Sequence, residues 1–381
     1  MNVEEVNNDS EDDLPAESIC VSLTVPKSDP PAGGYPVIVY GHGTGGSFRT
    51  APTLLGSAAT DPTVPVQFVL VGYDGHMHGD RSGKLGQSTQ LDAGMLYYNF
   101  ANPPAAKGNF FQGATDAFAM AKFAAFLPQV VSALTNDDAP GVDQLKLKLQ
   151  INQERVAYHG HSQGGAAGPL IAPFSEWIGA VVISGTGGNL IEGLLGKKMP
   201  FDISTALAMA VQEISLDANH PGMHLLQTYF DEVDATPYAP LLGAPHNGGV
   251  HLLDIVGMSD TFTPPNAARI YAAATGASIV EPFHTEAVEG FEYVEDLSLD
   301  PSLETKQSAL PLGANRVIDG ELFTQAVTEH PTSSSYDGHF VVYQDPTAIQ
   351  IFANFLASWV LNPAGFPVVS DSADLAGELG P

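Results

Sequence analysis

This sequence predicts an α/β fold, a mostly parallel central sheet flanked by helices and interrupted by a helical insertion. Two observations carry the prediction. Short apolar runs recur between Gly and Pro clusters and longer helix-compatible stretches, the alternation of a parallel sheet whose crossovers cover its faces. One such run, Val156-Ala157-Tyr158, leads into Gly160-His161-Ser162-Gln163-Gly164 and then into small residues, so a strand must reverse into a helix within a few positions. The length, 381 residues with 44% hydrophobic content, is enough for one large α/β domain with insertions or for two domains.

The elements follow in order. Residues 1–17 are polar and acidic and read as a disordered lead, with neither the basic start nor the apolar centre of a signal peptide. Such a segment is what a removed export signal would leave, and a secreted or periplasmic protein is the expectation. Strands are expected at Val21 to Val25, Val37 to Tyr40, Phe68 to Gly72, Val156 to His159, Ala180 to Ser184 and Leu252 to Val256. Cys20, the single cysteine, excludes an intramolecular disulfide and reads as a small buried hydrophobe of the first strand. Phe111, Ala114, Phe118 and Ala121 recur at helical spacing, giving one apolar face to pack on the sheet before the Val156 strand.

Two stretches break the repeat. Residues 189–248 read as helices and loops, with Leu190-Ile191-Glu192-Gly193-Leu194-Leu195 and Ala206-Leu207-Ala208-Met209-Ala210-Val211 as helix-prone pieces, and are placed where a cap over a site would be inserted. The core is then expected over 18–188 and 249–381. From about Glu281 to about Tyr336 the chain is polar, acidic and loop-rich.

Charge narrows the partners. With 43 acidic against 14 basic residues the net charge is −29, which argues against nucleic acid or an anionic membrane, since phosphates are held by Lys and Arg. No apolar run reaches transmembrane length, so stable membrane insertion is not expected.

The chemistry centres on Ser162. Gly-His-Ser-Gln-Gly between a strand and a helix is a G-x-S-x-G nucleophile elbow, which lifts the serine out of the sheet. A serine hydroxyl is a weak nucleophile at neutral pH, so the motif implies a histidine base and an acid that orients it, in chain order Ser, Asp, His. Asp260, in Gly257-Met258-Ser259-Asp260-Thr261-Phe262, follows a strand end, where open α/β sheets gather their sites. Its rival Asp254 falls inside the strand, where it would be buried without an obvious partner. His339, in Ser335-Tyr336-Asp337-Gly338-His339-Phe340 ahead of a terminal amphipathic helix, is the expected base; His330 and His284 are the competitors.

Acyl transfer also needs donors for an oxyanion. Val37-Ile38-Val39-Tyr40 runs into Gly41-His42-Gly43-Thr44-Gly45-Gly46, whose glycines let backbone N–H groups converge. The expected donors are the N–H of Gln163 and the N–H of Thr44, or of Gly43 if the loop turns one residue earlier, with His42 anchoring the loop. A phosphate loop is excluded because the G-x-x-x-x-G-K-[ST] lysine is missing. In His76-Met77-His78-Gly79-Asp80 two histidines would share one side of an extended chain, with Asp80 as a third metal ligand. Nothing else has ligand spacing and Ser162 chemistry needs no ion, so the loop is read as pocket rim, with Tyr73, Asp74 and Arg81 available for a buried polar set. No metal or cofactor is expected.

These residues jointly resemble the α/β-hydrolase superfamily, and within it bacterial secreted lipases and carboxylesterases, over about Tyr35 to Val360. The carriers are Gly41-His42-Gly43, His78-Gly79-Asp80-Arg81, the helix around Asp116, the Ser162 elbow, Gly257 with Asp260, and Gly338-His339. The segment Leu226 to Tyr238 looks like the cap-to-core return of such lipases. The resemblance implies hydrolysis of a carboxylic ester, small or polymeric, through an acyl-enzyme. The interval from Asp260 to His339, 79 residues, is longer than superfamily members usually need, so an insertion must loop out between them. Two alternatives stand beside this reading: a peptidase or acyltransferase using the same residues, and a non-catalytic binding protein on the same scaffold.

Overall fold

The computed structural model describes residues 17–82, 93–99, 101–134, 142–212, 216–243, 249–281 and 307–379. Nearly all of the acidic lead, and the competitor His284, lie outside the described residues. Thirteen strands are present among them: β1 (Val21–Thr24), β2 (Tyr35–Gly41), β3 (Val69–Tyr73), β4 (Ile151–His161), β5 (Ile178–Ser184), β6 (His251–Gly257), β7 (Ser278–Val280), β8 (Gln307–Ser308), β9 (Leu312–Gly313), β10 (Arg316–Ile318), β11 (Glu321–Phe323), β12 (Gln325–His330) and β13 (Val368–Val369). Nine form one sheet in the order β1-β3-β2-β4-β5-β6-β12-β7-β8. Only β1 runs antiparallel to its neighbour.

A parallel sheet of this kind is covered on both faces, so its central strands are apolar throughout. β2, Tyr-Pro-Val-Ile-Val-Tyr-Gly, is buried at every position. The pleat sends Val37 and Val39 to one core layer and Ile38 and Tyr40 to the other. The first layer is closed by the helices Pro103–Ala125 and Gln163–Ile171, the second by Pro346–Leu361, whose Ile351, Phe355 and Trp359 are buried. Truncating a core aromatic such as Phe355 to alanine would cost about 3–5 kcal/mol.

All six expected strands are present, each within a few residues of its expected bounds. Three expectations need correction. The long helix turns Ala114, Ala117, Ala121 and Ala124 inward while Phe111 is 41% exposed, because only a methyl-sized face allows it to lie close to the sheet and to its neighbour Gln163–Ile171. Cys20 precedes β1 and is partly exposed, its thiol donating to Asp80 Oδ2 at 3.4 Å, so it is not a core hydrophobe. The 281–336 break contains β12, a strand paired on both sides, to β6 and to β7.

Between β5 and β6 lie the helices Leu190–Gly196, Ile203–Val211 and Pro221–Phe230 and two 3₁₀ turns, with no strand among the described residues. Asp234 ties the two ends of this insertion together, accepting from the N–H groups of Asn189 (3.0 Å), Leu190 (2.6 Å) and Thr236 (2.7 Å). Among the described residues, no helix is long and apolar enough to cross a membrane.

Candidate active site

Ser162 stands between β4 and the helix Gln163–Ile171 with φ 55° and ψ −118°, a conformation that L-residues avoid. The turn is tight on both sides: a Cβ on Gly160 would overlap the Gly164 carbonyl, and one on Gly164 would overlap that of Gly41. The Ser162 N–H donates to the Ser184 carbonyl at 2.8 Å, which fastens the elbow to the end of β5. The next residue, Gly185, lies close to the His339 ring, since a Cβ there would come within 2.8 Å of His339 Nδ1 and Cε1. The end of β5 therefore lies beside both Ser162 and the His339 ring.

Asp260 lies three residues past β6 and is buried. Its Oδ1 accepts from the N–H groups of Phe262 and Thr263, both at 2.7 Å, and its Oδ2 lies 2.8 Å from His339 Nδ1. The first two bonds orient the carboxylate and the third orients the imidazole through its Nδ1. The His339 ring stacks on Phe262 (centroids 4.7 Å apart, 22° between planes) and packs at 4.8 Å from His161. His161 Nδ1 contacts Ser184 Oγ at 2.9 Å, and burial together with the nearby His339 holds its pKa well below the usual range.

The two rivals have different surroundings. Asp254 is fully buried within β6, its two carboxylate oxygens without hydrogen-bond partners among the described residues, and burial drives its pKa well above the carboxylate range. His330 closes β12, with Nδ1 3.2 Å from Asp345 and Nε2 3.0 Å from Thr328 Oγ1.

The glycine loop after β2 lies against the elbow. The Gly164 N–H donates to the His42 carbonyl at 3.1 Å, and a Cβ on Gly43 would come within 3.2 Å of Ser162 Cβ. The Gly43 carbonyl accepts from His42 Nδ1–H at 2.8 Å and from the Gly46 N–H at 3.0 Å. His42 Nε2 then accepts from the Gly75 N–H at 3.0 Å, which fixes the tautomer. Burial lowers the His42 pKa to about 4, so the ring keeps both roles as a neutral group. Because the Gly43–Thr44 peptide is trans, pinning its carbonyl to His42 turns the Thr44 N–H the opposite way. The Thr44 hydroxyl donates to Gln163 Oε1 at 3.0 Å, and Tyr98 Oη lies 3.3 Å from Thr44 Oγ1. The side chains of the two expected donor residues are thus linked.

The residues 76–80 do not converge as metal ligands. The chain turns at Met77 (φ 62°) instead of running extended; His76 Nε2 faces Asn109 at 3.1 Å, His78 Nδ1 faces the His76 carbonyl at 2.8 Å, and Asp80 accepts from Cys20. The polar set expected from Tyr73, Asp74 and Arg81 has other members: Arg81 pairs with Asp116 and with Glu17 (2.7 Å) and meets Asp74 only at its carbonyl (3.1 Å), while the Asp74 carboxylate accepts from the N–H groups of Phe48 (2.8 Å) and Asp80 (3.2 Å). A cavity of about 20 Å³ behind the elbow, bordered by His42, Tyr73, His76, Tyr97 and Gln163, has room for a single water and not for an acyl chain.

Sequence reasoning missed Phe262, His161, Tyr98 and Asp337. Phe262 and His161 flank named motif residues, and Asp337 stands two before His339, but nothing in their types announces a role. Tyr98 reaches the site from a helix with no motif.

No family model and no curated protein matches the chain. Among solved structures it is similar to an acetyl xylan esterase from Paenibacillus sp. R4 (15% identity, 68% of this chain and 69% of that one, TM-score 0.46). It is also similar to the Pyrococcus horikoshii acylaminoacyl peptidase (11%, 91% and 42%, TM-score 0.42) and to 2,6-dihydroxy-pseudo-oxynicotine hydrolase (12%, 92% and 66%, TM-score 0.43). The chain thus spans less than half the length of the peptidase, and likenesses this faint do not bear on what it does. The architecture rests on its own topology. A serine elbow after β4, an aspartate after β6 and a histidine after β12, on a sheet whose only antiparallel neighbour is at one edge, make this an α/β-hydrolase fold.

Proposed function

We propose that this chain is a serine hydrolase of carboxylic esters working through an acyl-enzyme. The observation that carries the reading is the buried 2.8 Å contact between Asp260 and His339, which lies beside the end of β5 to which the strained Ser162 is hydrogen-bonded. In this reading Ser162 Oγ attacks the ester carbonyl as its proton passes to His339 Nε2. Collapse of the tetrahedral intermediate expels the alcohol, which takes that proton, and water then releases the acid by the same route. Asp260 Oδ2 accepts from the His339 Nδ1–H and holds the imidazole. The N–H groups of Gln163 and Thr44 receive the oxyanion, with Gly43 the alternative to Thr44. The insertion carries exposed apolar side chains, Phe201 (66%), Met209 (76%) and Leu225 (74%), which supports lipid, aryl or polyester substrates over charged metabolites. No cofactor enters the scheme, and export from the cytoplasm remains the expected location.

The test is hydrolysis of p-nitrophenyl esters of increasing acyl length, and of a solid polyester, by the wild type and Ser162→Ala. The expected result is loss of turnover and of fluorophosphonate labelling in a variant with unchanged circular dichroism. Full turnover by folded Ser162→Ala would overturn the reading.

A further inference from the structure

The acid and base candidates are 79 residues apart in the chain, yet their loops touch backbone to backbone. A Cβ on Gly257 would overlap the Gly338 carbonyl oxygen, and a Cβ on Gly338 would overlap that of Met258. Only glycine at both positions permits this approach. One side chain spans the seam. Asp337 Oδ1 accepts from the N–H of Thr261 at 3.2 Å and from the N–H of His339 at 2.9 Å, while its Oδ2 accepts from the Thr261 hydroxyl at 2.7 Å. Its own carbonyl accepts from the Phe340 N–H at 3.0 Å, closing the turn that presents His339.

Thr261 and His339 are the informative partners. Thr261 is the neighbour of Asp260, and the other N–H belongs to the residue bearing the imidazole. One carboxylate therefore holds the backbone on both sides of the Asp260–His339 contact. Asp260 orients the ring through its side chain, whereas Asp337 fixes the two main chains from which both side chains project. The Thr261 carbonyl in turn accepts from the N–H groups of Lys198 (2.8 Å) and Met199 (2.9 Å), so the same residue joins the seam to the helical insertion.

We propose that Asp337 is a positioning residue that sets the separation of the acid-bearing and base-bearing loops, with Thr261 as its counterpart. The proposal rests on the serine hydrolase reading for its kinetic consequence, but not for its geometric one. Its logic is that a misplacement of about 1 Å between reacting groups costs up to about a hundredfold in rate. Asp337→Ala removes all three side-chain bonds. Asp337→Asn keeps an oxygen to accept from both N–H groups and offers an amide N–H to the Thr261 hydroxyl oxygen.

Two readouts test it: kcat and KM on a p-nitrophenyl ester, and the downfield NMR resonance of the His339 Nδ1 proton, assigned by its absence in His339→Ala. Asp337→Ala is expected to lower kcat by about tenfold to a hundredfold with KM within about twofold, and to broaden or shift the resonance. Asp337→Asn is expected to recover most of both. Wild-type kcat with an unmoved resonance in Asp337→Ala would overturn the proposal, as would equal impairment of the two variants or a loss confined to KM. Should Asp337→Ala fail to fold, Thr261→Val removes one bond and no charge; a few-fold fall in kcat with a displaced resonance supports the proposal, and no change in either overturns it. Full activity in Ser162→Ala would refute the ester hydrolase reading alone, since the resonance reports the two loops without any substrate.

Discussion

The ring of Phe262 lies flat against the imidazole of His339, 4.7 Å between centroids and 22° between planes. The Phe262 N–H simultaneously holds Asp260 Oδ1, so one residue steadies the carboxylate through its main chain and the imidazole through its side chain. Phe262→Leu keeps the first contact and removes the second. Aromatic pairs contribute about 0.5–1.5 kcal/mol beyond their area, so kcat is expected to fall about two- to tenfold with little change in KM. Steady-state kinetics on one ester check this, and an unchanged kcat would show that the stack is idle.

His42 offers a second lever. It pins the Gly43 carbonyl and receives the Gly75 N–H, which turns the Thr44 N–H away from the ring. Removing an oxyanion donor outright costs about 10²–10³ in kcat. His42→Ala leaves the proposed Thr44 donor present but unanchored, so a fall of about tenfold to a hundredfold in kcat is expected, at near-constant KM. A change in KM alone would place His42 in substrate binding instead.

Acid should unfold this protein through its buried histidines. Burial holds His42 near a pKa of about 4, and His159 and His251 near about 3, against the ordinary histidine value of 6.5. Between pH 6.5 and 4 the unfolded chain takes up protons that the folded chain refuses, so stability is lost as pH falls through that window. Each such group contributes a slope of about 1.4 kcal/mol per pH unit there. His159 has neither ring nitrogen hydrogen-bonded among the described residues, so His159→Leu is expected to lower the slope by one such increment. Urea titrations at pH 6, 5 and 4 measure it, and parallel curves for wild type and variant would contradict the expectation.

Asp254 predicts the opposite slope. Its carboxyl is fully buried, as is the Tyr271 hydroxyl that it influences, and burial raises both pKa values. Above pH 3.8 the unfolded chain releases a proton that the folded chain retains, so this group weakens the fold as pH rises. Asp254→Asn is expected to be more stable than the wild type at pH 8 by about 1–3 kcal/mol, with the advantage shrinking toward pH 4. Thermal melts across that range test it, and a pH-independent difference would dismiss the buried acid as the cause.

The parts legible in sequence are those where burial and chemistry select the same residue types. β2 and β5 are apolar on both faces, the Ser162 elbow has glycines where a Cβ would collide, and Asp260 follows a strand end. β12 was illegible for a physical reason. It is buried at every position yet reads Gln-Ala-Val-Thr-Glu-His, because its polar side chains have dedicated partners. Gln325 Nε2 donates to the Leu242 and Val250 carbonyls, Glu329 pairs with Arg269, and His330 faces Asp345. A hydrophobic pattern cannot report a strand whose burial depends on distant groups. Asp337 was hidden likewise, since an Asp before Gly-His is ordinary turn chemistry until Thr261 is seen opposite it.

β12 has one further consequence. It is gripped along both edges by β6 and β7, and His339 follows it after only a short loop. The registers Gln325 to Leu252 and Ala326 to Ser278 fix where that grip begins. The sheet therefore acts as a ruler that restarts the count at Gln325, and the imidazole is placed by the few residues that follow the strand.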